Sequence, residues 1–350
     1  MESLPLPFKP MEKLAVVIPC YRVKNLVLSV IEKIDPNVAH IFVVDDCCPE
    51  QTGKHVTQVC RDPRVEVVFL EKNQGVGGAT LAGFKKGLAV GATIAIKLDG
   101  DGQMDPRLIP QLIRPLLDGQ ADYTKGNRFF SLELLRGMPL VRLFGNSMLS
   151  LLTKFSSGYW GIMDPTNGFT AIRTSVLALL PLDKIDRSYF FESDMLCRLN
   201  LLRAVVADVP MRARYENEPS SLRIWTSLFS FSAKHVIGAM KRIFYSYFLR
   251  DFNPGSLQLL FGSLFTFSGM VFGILQWREA YWSRHFASSG QVMLASLPII
   301  LGFQMLLSFL NYDIFNQPRL PLNSLVAQTG QGSSISVPDL GGTRKVSRVG

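Results

Sequence analysis

Short apolar runs alternate with amphipathic stretches over the first two-thirds of the chain. LAVVIP (14–19) is a β-branched run stopped by Pro19, as expected of a buried strand. HIFVVDD (40–46), VEVVFLE (65–71) and TIAIKLD (93–99) repeat the pattern. Between them, Leu26, Val27, Val30, Ile31 and Ile34 share one helical face over 25–34, and GGATLAGFKKGLAV (77–90) predicts a helix of small residues. Helices are also predicted over 105–118, 140–156 and 189–202, a loop entering a strand over 164–173, and a last strand over 204–210. This alternation predicts an α/β domain with a parallel sheet covered on both faces. Ligands of such sheets bind beyond the carboxyl ends of the strands.

The pattern then changes. Over 225–250, Trp225, Leu228, Phe229, Val236, Met240, Phe244 and Phe248 recur at near-helical spacing, interrupted by Lys234, Lys241 and Arg242. This predicts an amphipathic helix in a membrane interface, with its cations toward lipid headgroups. Residues 256–277 and 291–312 are charge-free and each long enough to cross a hydrocarbon core, so two transmembrane helices are expected. Two buried helices of a soluble protein are the alternative. Trp277, Tyr281 and Trp282 suit an aromatic belt. Lys234, Lys241, Arg242 and Arg250 outnumber Arg278 and Arg284 of the connecting loop, which places the large domain on the cytoplasmic side. Residues 1–12 read as a flexible lead and 316–350, rich in Gly, Ser and Pro, as a disordered tail.

The net charge of +9 fits a phosphorylated substrate or an anionic membrane surface. The basic residues form no dense run and no nucleic-acid motif is present, so no nucleic-acid partner is expected. Cys20, Cys47, Cys48, Cys60 and Cys197 show no metal spacing and are expected to be reduced thiols of a cytosolic face.

The candidate chemistry gathers where strands end. IAIKLDGDGQMDP (94–106) closes a strand with Asp99, Asp101 and Asp105. A polar turn is one reading. The other is a metal site, because carboxylates at i and i+2 after a strand can both reach one hard cation that neutralises a diphosphate. Tyr21 follows the first strand and suits a nucleobase, while Asp45 and Asp46 follow the second and suit a base or ribose. Gly75, Gly77 and Gly78 open a helix and allow close backbone approach to phosphate or ribose. No G-K-[ST] follows them, so this is not a P-loop.

VVIPCYR, VVDDCCPEQT, NQGVGGATLAGF, LDGDGQMDP, KGNRF, DPTNGFTAIR, FFESDML and ENEPSSLRIW, in this order, resemble a family-2 inverting glycosyltransferase of the GT-A fold, within its polyprenyl-phosphate (dolichyl-phosphate-mannose-synthase-like) group. The resemblance implies a GT-A catalytic domain over 13–224, with Pro19, Tyr21, Asp45, Asp46, Asn73, Gly75 and Gly78 at the nucleotide. It implies Mg²⁺ or Mn²⁺ on Asp99 and Asp101, supported by Gln103. Gly126, Asn127 and Arg128 would border the sugar and acceptor phosphate, and Asp164, Gly168 and Phe169 the sugar wall. Glu192 and Asp194 form an acidic pair, with Asp194 a candidate base. Ser221 and Arg223 would lie near the lipid phosphate, and Arg128 and Arg223 would stabilise the leaving group. Cys47-Cys48 departs from the family's usual small polar pair. The implied reaction moves a hexose from a UDP- or GDP-sugar to undecaprenyl or dolichyl phosphate, in a homo-oligomer such as a tetramer. The absence of Q-x-x-R-W argues against polymer synthesis. A hydroxyl-bearing lipid acceptor, for which Asp194 would be essential, and a non-catalytic nucleotide-sugar scaffold are the alternatives.

Overall fold

In the computed structural model, which describes residues 12–130, 140–211 and 224–322, the apolar runs become β1 (Leu14–Cys20), β2 (His40–Asp45), β3 (Val65–Phe69) and β4 (Ile94–Lys97). Three more strands follow: β5 (Tyr123–Asn127), β6 (Thr170–Arg173) and β7 (Val206–Pro210). The seven form one sheet, ordered β3-β2-β1-β4-β6-β5-β7. β1 pairs in parallel with both β2 and β4; after β3 the chain crosses back to the other side of β1, and the crevice lies at this reversal.

The sheet is mostly parallel, with one strand reversed. β6 runs antiparallel to both β4 and β5. β5 has no apolar signature, being Tyr-Thr-Lys-Gly-Asn, yet every residue of it is buried. Lys125 donates to the Asn167 carbonyl and Asn127 to Asp208, so polar partners rather than an apolar face hold this strand, and hydrophobic periodicity does not report it.

Helices cover both faces: α1 (Val27–Ile31), α2 (Thr52–Val59), α3 (Gly75–Ala89), α4 (Ile109–Leu117), α5 (Leu140–Ser157), α6 (Thr174–Leu177) and α7 (Phe191–Leu202). Alternate residues of one strand serve opposite cores. Val16 and Ile18 pack with Ile31, Leu112 and Ile113. Ala15 and Val17 pack with Phe84, Leu196 and Leu199. The helix expected over 25–34 is shorter, since Pro36 disfavours helical geometry just before it.

Beyond the domain come α8 (Ile224–Phe244), a π-helical turn at Tyr245–Leu249, α9 (Pro254–Ser283) and α10 (Ser289–Phe315). Asn253 and Ser288 each form a capping box that starts one of the last two helices. Both are long and apolar enough to cross a membrane. Their outward side chains argue against the soluble alternative. Leu264, Phe267, Leu294 and Ile300 are each more than half exposed, an apolar surface that water would penalise. Gly262 and Gly302 let the two backbones meet: a Cβ on Gly302 would stand 2.4 Å from Thr266 Oγ1.

Two expectations for this region are corrected. Arg242 does not face lipid headgroups; it is buried, with its guanidinium on Asp313 of α10. Lys234 remains partly exposed and pairs with Asp186 at 2.5 Å. The segment after α10 is also ordered as far as the description extends. Arg203 donates to the Asn316 carbonyl, Gly161 N to Gln317 Oε1 and Leu322 N to Asp122 Oδ2. These bonds hold 316–322 on the catalytic domain. The rest of the expected tail, 323–350, and residues 1–11 of the lead lie outside the described residues.

α3 lies so close on β1 that a Cβ at Gly83 would stand 2.2 Å from Val17 Cγ1. Gly83→Ala is therefore expected to destabilise the domain by about 1–3 kcal/mol. Chemical denaturation of the purified variant checks this, and an unchanged midpoint would show that the helix moves away at little cost.

Candidate active site

The rim of the crevice is built from the residues just past β1, β2 and β4. Cys20 pairs with Asp45 and Val17 with Lys97 in the sheet register, which sets Tyr21, Asp46, Asp99 and Asp101 along one edge. Tyr21 is exposed there, beneath the Arg22 guanidinium at 5.4 Å.

The two aspartates after β2 do local work. Asp45 accepts hydrogen bonds from Cys48 N at 2.7 Å and Gly53 N at 2.6 Å, which fold the Cys47-Cys48 loop into α2. Asp46 accepts from Gln74 N at 2.6 Å and Gly75 N at 2.8 Å, and so ties β2 to the start of α3. Burial raises the Asp46 pKa against the lowering effect of these two bonds. Asn73 Oδ1 accepts from Gly75 N. The glycine turn approaches protein backbone. A Cβ on Gly75, whose φ is +79°, would lie 2.6 Å from the Arg187 carbonyl, and Gly78 N donates to that same oxygen.

The three carboxylates after β4 separate by role. Asp105 caps a 3₁₀ turn through Arg107 N. Asp101 Oδ1 accepts from Gln103 N at 3.0 Å. Asp99 Oδ1 lies 2.7 Å from Lys97 Nζ, and Lys97 Nζ lies 3.1 Å from Glu192 Oε1. Lys97 is the residue that sequence reasoning missed. Its side chain is 1% exposed, inside a strand quoted above as apolar. Positions 97 and 99 point the same way from an extended chain, and that two-residue spacing was the available signal. Burial alone would lower the Lys97 pKa, but the carboxylates of Asp99 and Glu192 outweigh it and the net shift is upward. The ammonium therefore stays charged. Gly168 closes over the pair: a Cβ there would be 2.3 Å from Asp99 Oδ2 and 2.5 Å from Lys97 Nζ.

A second polar group forms the adjoining wall. Arg128 binds Asp164 in a two-pronged bridge, Nε to Oδ2 at 2.7 Å and Nη2 to Oδ1 at 3.0 Å, and Asn167 Nδ2 also donates to Asp164. Asn127 joins Asp208 through Nδ2 and Phe129 N through Oδ1. Lys125, fully buried, donates to the Asn167 carbonyl, and burial lowers its pKa to about 8. A Cβ on Gly126 would strike Met211 Sδ at 2.3 Å, and Phe169 is a core residue. Lys125 and Asp208 also went unread, because single polar residues inside strands carry no periodic signature.

Glu192 and Asp194 divide. Two positions along a helix turn side chains to opposite sides. Glu192 reaches Lys97, whereas Asp194 accepts from Arg198 Nε at 2.8 Å and Asp186 N at 2.9 Å. Asp194 is thus a paired carboxylate of α7 outside the Lys97 cluster. Ser221 and Arg223 lie outside the described residues.

Among the described residues, no group of three or more His, Cys, Asp or Glu side chains could hold a metal ion by itself. A pair suffices for a hard cation that also takes phosphate oxygens. Asp99 and Asp101 supply carboxylate oxygens two residues apart on the rim, and the Asp99 side chain is 27% exposed. Their chemistry fits such an ion.

Residues 15–180 match the model of Glycosyl transferase family 2. The polyprenol monophosphomannose synthase of Mycolicibacterium smegmatis is 32% identical over 213 residues, 59% of this chain and 79% of that protein. The protein belongs to glycosyl transferase family 2. The family member named UDP-N-acetylglucosamine–dolichyl-phosphate N-acetylglucosaminyltransferase, from Methanococcus voltae, is 28% identical over 57% of this chain and 84% of its own. A crystal structure of glucosyl-3-phosphoglycerate synthase from Mycobacterium tuberculosis, with Mn²⁺, UDP and phosphoglyceric acid, superposes with a TM-score of 0.50 at 21% identity, covering 66% of this chain and 78% of that one. That likeness shows the GT-A-like fold. The sheet order, the rim and the family together make this protein a glycosyltransferase.

Two predictions follow from the buried charges. Lys97→Met leaves Asp99 and Glu192 without their cation, an expected loss of about 3–5 kcal/mol. Adding Glu192→Gln should restore part of it, and equal melting temperatures for the wild type and Lys97→Met would refute the pairing. The second concerns Asp208, whose pKa burial raises from 3.8 to about 6. A raised carboxyl pKa favours the folded state below the unfolded value and loses that advantage as pH rises through the folded one. The stability of the wild type relative to Asp208→Asn should therefore fall between about pH 4 and pH 6, which denaturation at stepped pH will register.

Proposed function

We propose that this glycosyltransferase moves a hexose from a UDP- or GDP-sugar to a polyprenyl phosphate at a membrane surface, its catalytic domain facing the cytoplasm. One observation carries the reading: the Asp99–Asp101 rim belongs to the same chain as two apolar helices whose outer surfaces call for lipid. The names of the relatives support it, being those of enzymes acting on dolichyl phosphate, polyprenol phosphate or undecaprenyl phosphate. Lys241 and Arg250 on the domain side of α9 support the sidedness.

In this reading Asp99 and Asp101 hold Mg²⁺ or Mn²⁺ with Gln103 beside them. The bound ion supplies positive charge for the departing nucleoside diphosphate. Lys97 fixes the Asp99 carboxylate in orientation. Tyr21, exposed on the rim, offers a face for the donor's base. Arg128, its side chain 22% exposed and oriented by Asp164, presents guanidinium N–H groups to the phosphate oxygens of donor or acceptor. Gly168 lets the sugar-wall loop close directly against Asp99.

The acceptor's chemistry suits the carboxylates available. A phosphate monoester has its second pKa near 6 and is largely ionised at neutral pH, so it attacks without a strong base. Asp194, the candidate base for a hydroxyl acceptor, is already engaged by Arg198 and Asp186 N. That favours phosphate as the nucleophile.

The test uses purified protein, Mn²⁺ or Mg²⁺, undecaprenyl or dolichyl phosphate and labelled UDP- and GDP-sugars, with label counted in the organic phase. Transfer from one donor, lost with EDTA, is expected. Asp101→Ala should cut it by roughly a hundredfold or more with the fold intact. Full activity in that variant would remove Asp101 from the reaction, and label in no lipid phosphate would overturn the acceptor.

A further inference from the structure

We propose that Asp313, at the end of α10, is a positioning residue that holds the loop leading to Asp164, Asn167 and Gly168 at a fixed place over the bilayer. It thereby governs the use of a long, membrane-held acceptor and leaves the transfer chemistry untouched. The inference rests on the reading of the protein as a polyprenyl-phosphate glycosyltransferase.

Asp313 is the first charge after the uncharged stretch 291–312, and it is 5% exposed. A carboxylate placed so is costly unless each oxygen is satisfied. Here both are. Arg242 donates to Oδ1 at 2.7 Å and to Oδ2 at 3.0 Å. Tyr247 OH donates to Oδ1 at 2.7 Å, and Trp160 Nε1 donates to Oδ2 at 3.0 Å. These donors come from α8, from the π-helical turn and from the loop after α5. One side chain thus joins α8, the π-helical turn and the loop after α5 to the end of α10.

The geometry is directional at the loop. Arg242 uses its remaining N–H groups on the last turn of α5, Nε to the Ser156 carbonyl at 3.1 Å and Nη2 to the Phe155 carbonyl at 3.0 Å. Gly158 follows with φ +75°, and a Cβ there would lie 2.6 Å from Arg242 Nη1, so only glycine suits both the turn and the guanidinium. Trp160 stands four residues before Asp164 on the same loop. Gly161 N, one residue on, reaches Gln317 Oε1 beyond α10. The loop that ends in the sugar wall is therefore hydrogen-bonded along its first half to the end of an apolar helix.

Such a connection matters to only one kind of substrate. A water-soluble phosphate enters from solution at any height. The phosphate of a long prenyl chain is confined to the headgroup layer, and the wall must meet it there.

The test uses the full chain in lipid nanodiscs, with two variants. Asp313→Asn weakens the whole cluster. Trp160→Phe removes one hydrogen bond and keeps a ring beside Phe155. Each is assayed with a short-chain, water-soluble prenyl phosphate and with a long-chain polyprenyl phosphate, and amide hydrogen exchange is followed over 158–168. For the long-chain acceptor, KM should rise about tenfold in Asp313→Asn and about threefold in Trp160→Phe, with kcat nearly constant. Short-chain kinetics should be unchanged, and exchange should quicken in both variants. Equal losses with both acceptors would overturn the proposal, as would wild-type exchange in both variants. If the wild type itself transfers to neither acceptor, the functional reading fails, and the exchange measurement alone then decides whether Asp313 holds the loop.

Discussion

A single ammonium at the end of β4 organises the site. Lys97 sits in the middle of the sheet with almost no contact with water and two carboxylates within 3.1 Å. Neither partner is independent of it. Asp99 takes its orientation from Nζ, and Glu192 brings the first turn of α7 against the strand. Gly168 is confined by the same contact, since no side chain fits between it and the pair. A buried charge of this kind contributes little net stability, because desolvation offsets most of the attraction. What it supplies is direction: three elements distant in sequence must meet at one point with one geometry.

The same arrangement recurs where the domain meets the apolar helices, with the signs exchanged. There a buried carboxylate, Asp313, collects Arg242, Tyr247 and Trp160. The catalytic domain thus has a cationic hub beneath its rim and an anionic hub where it meets the apolar helices. The stretch 158–168 connects them, with Trp160 on the second hub and Gly168 on the first. On the proposed function, this loop links the sugar side of the site to the helices that would meet the lipid acceptor.

Much of the fold was legible in sequence because it rests on apolar burial. β1, β2 and β4 are short β-branched runs, and α9 and α10 are uncharged over the length of a membrane. The rim was legible as well, because Asp45, Asp46, Asp99 and Asp101 each end a strand. Their separate tasks were not. Asp45 and Asp46 fold loops, Asp105 caps a turn, and Asp194 pairs with Arg198. A carboxylate's role depends on which N–H group or cation lies within about 3 Å, a property of neighbours dozens of residues away.

Periodicity, strand ends and uncharged length are local, and the sequence alone determined the alternating α/β domain, its acidic rim and the two apolar helices. Partnership is not local. Only the tertiary structure decided that β5, a polar segment, is a buried strand, that β6 runs against its neighbours, and that Lys97 and Arg242 face inward. Burying Lys97 or Arg242 places a polar group where water cannot reach it. That is tolerable only when a distant residue satisfies it, and the chain must fold before that residue is known.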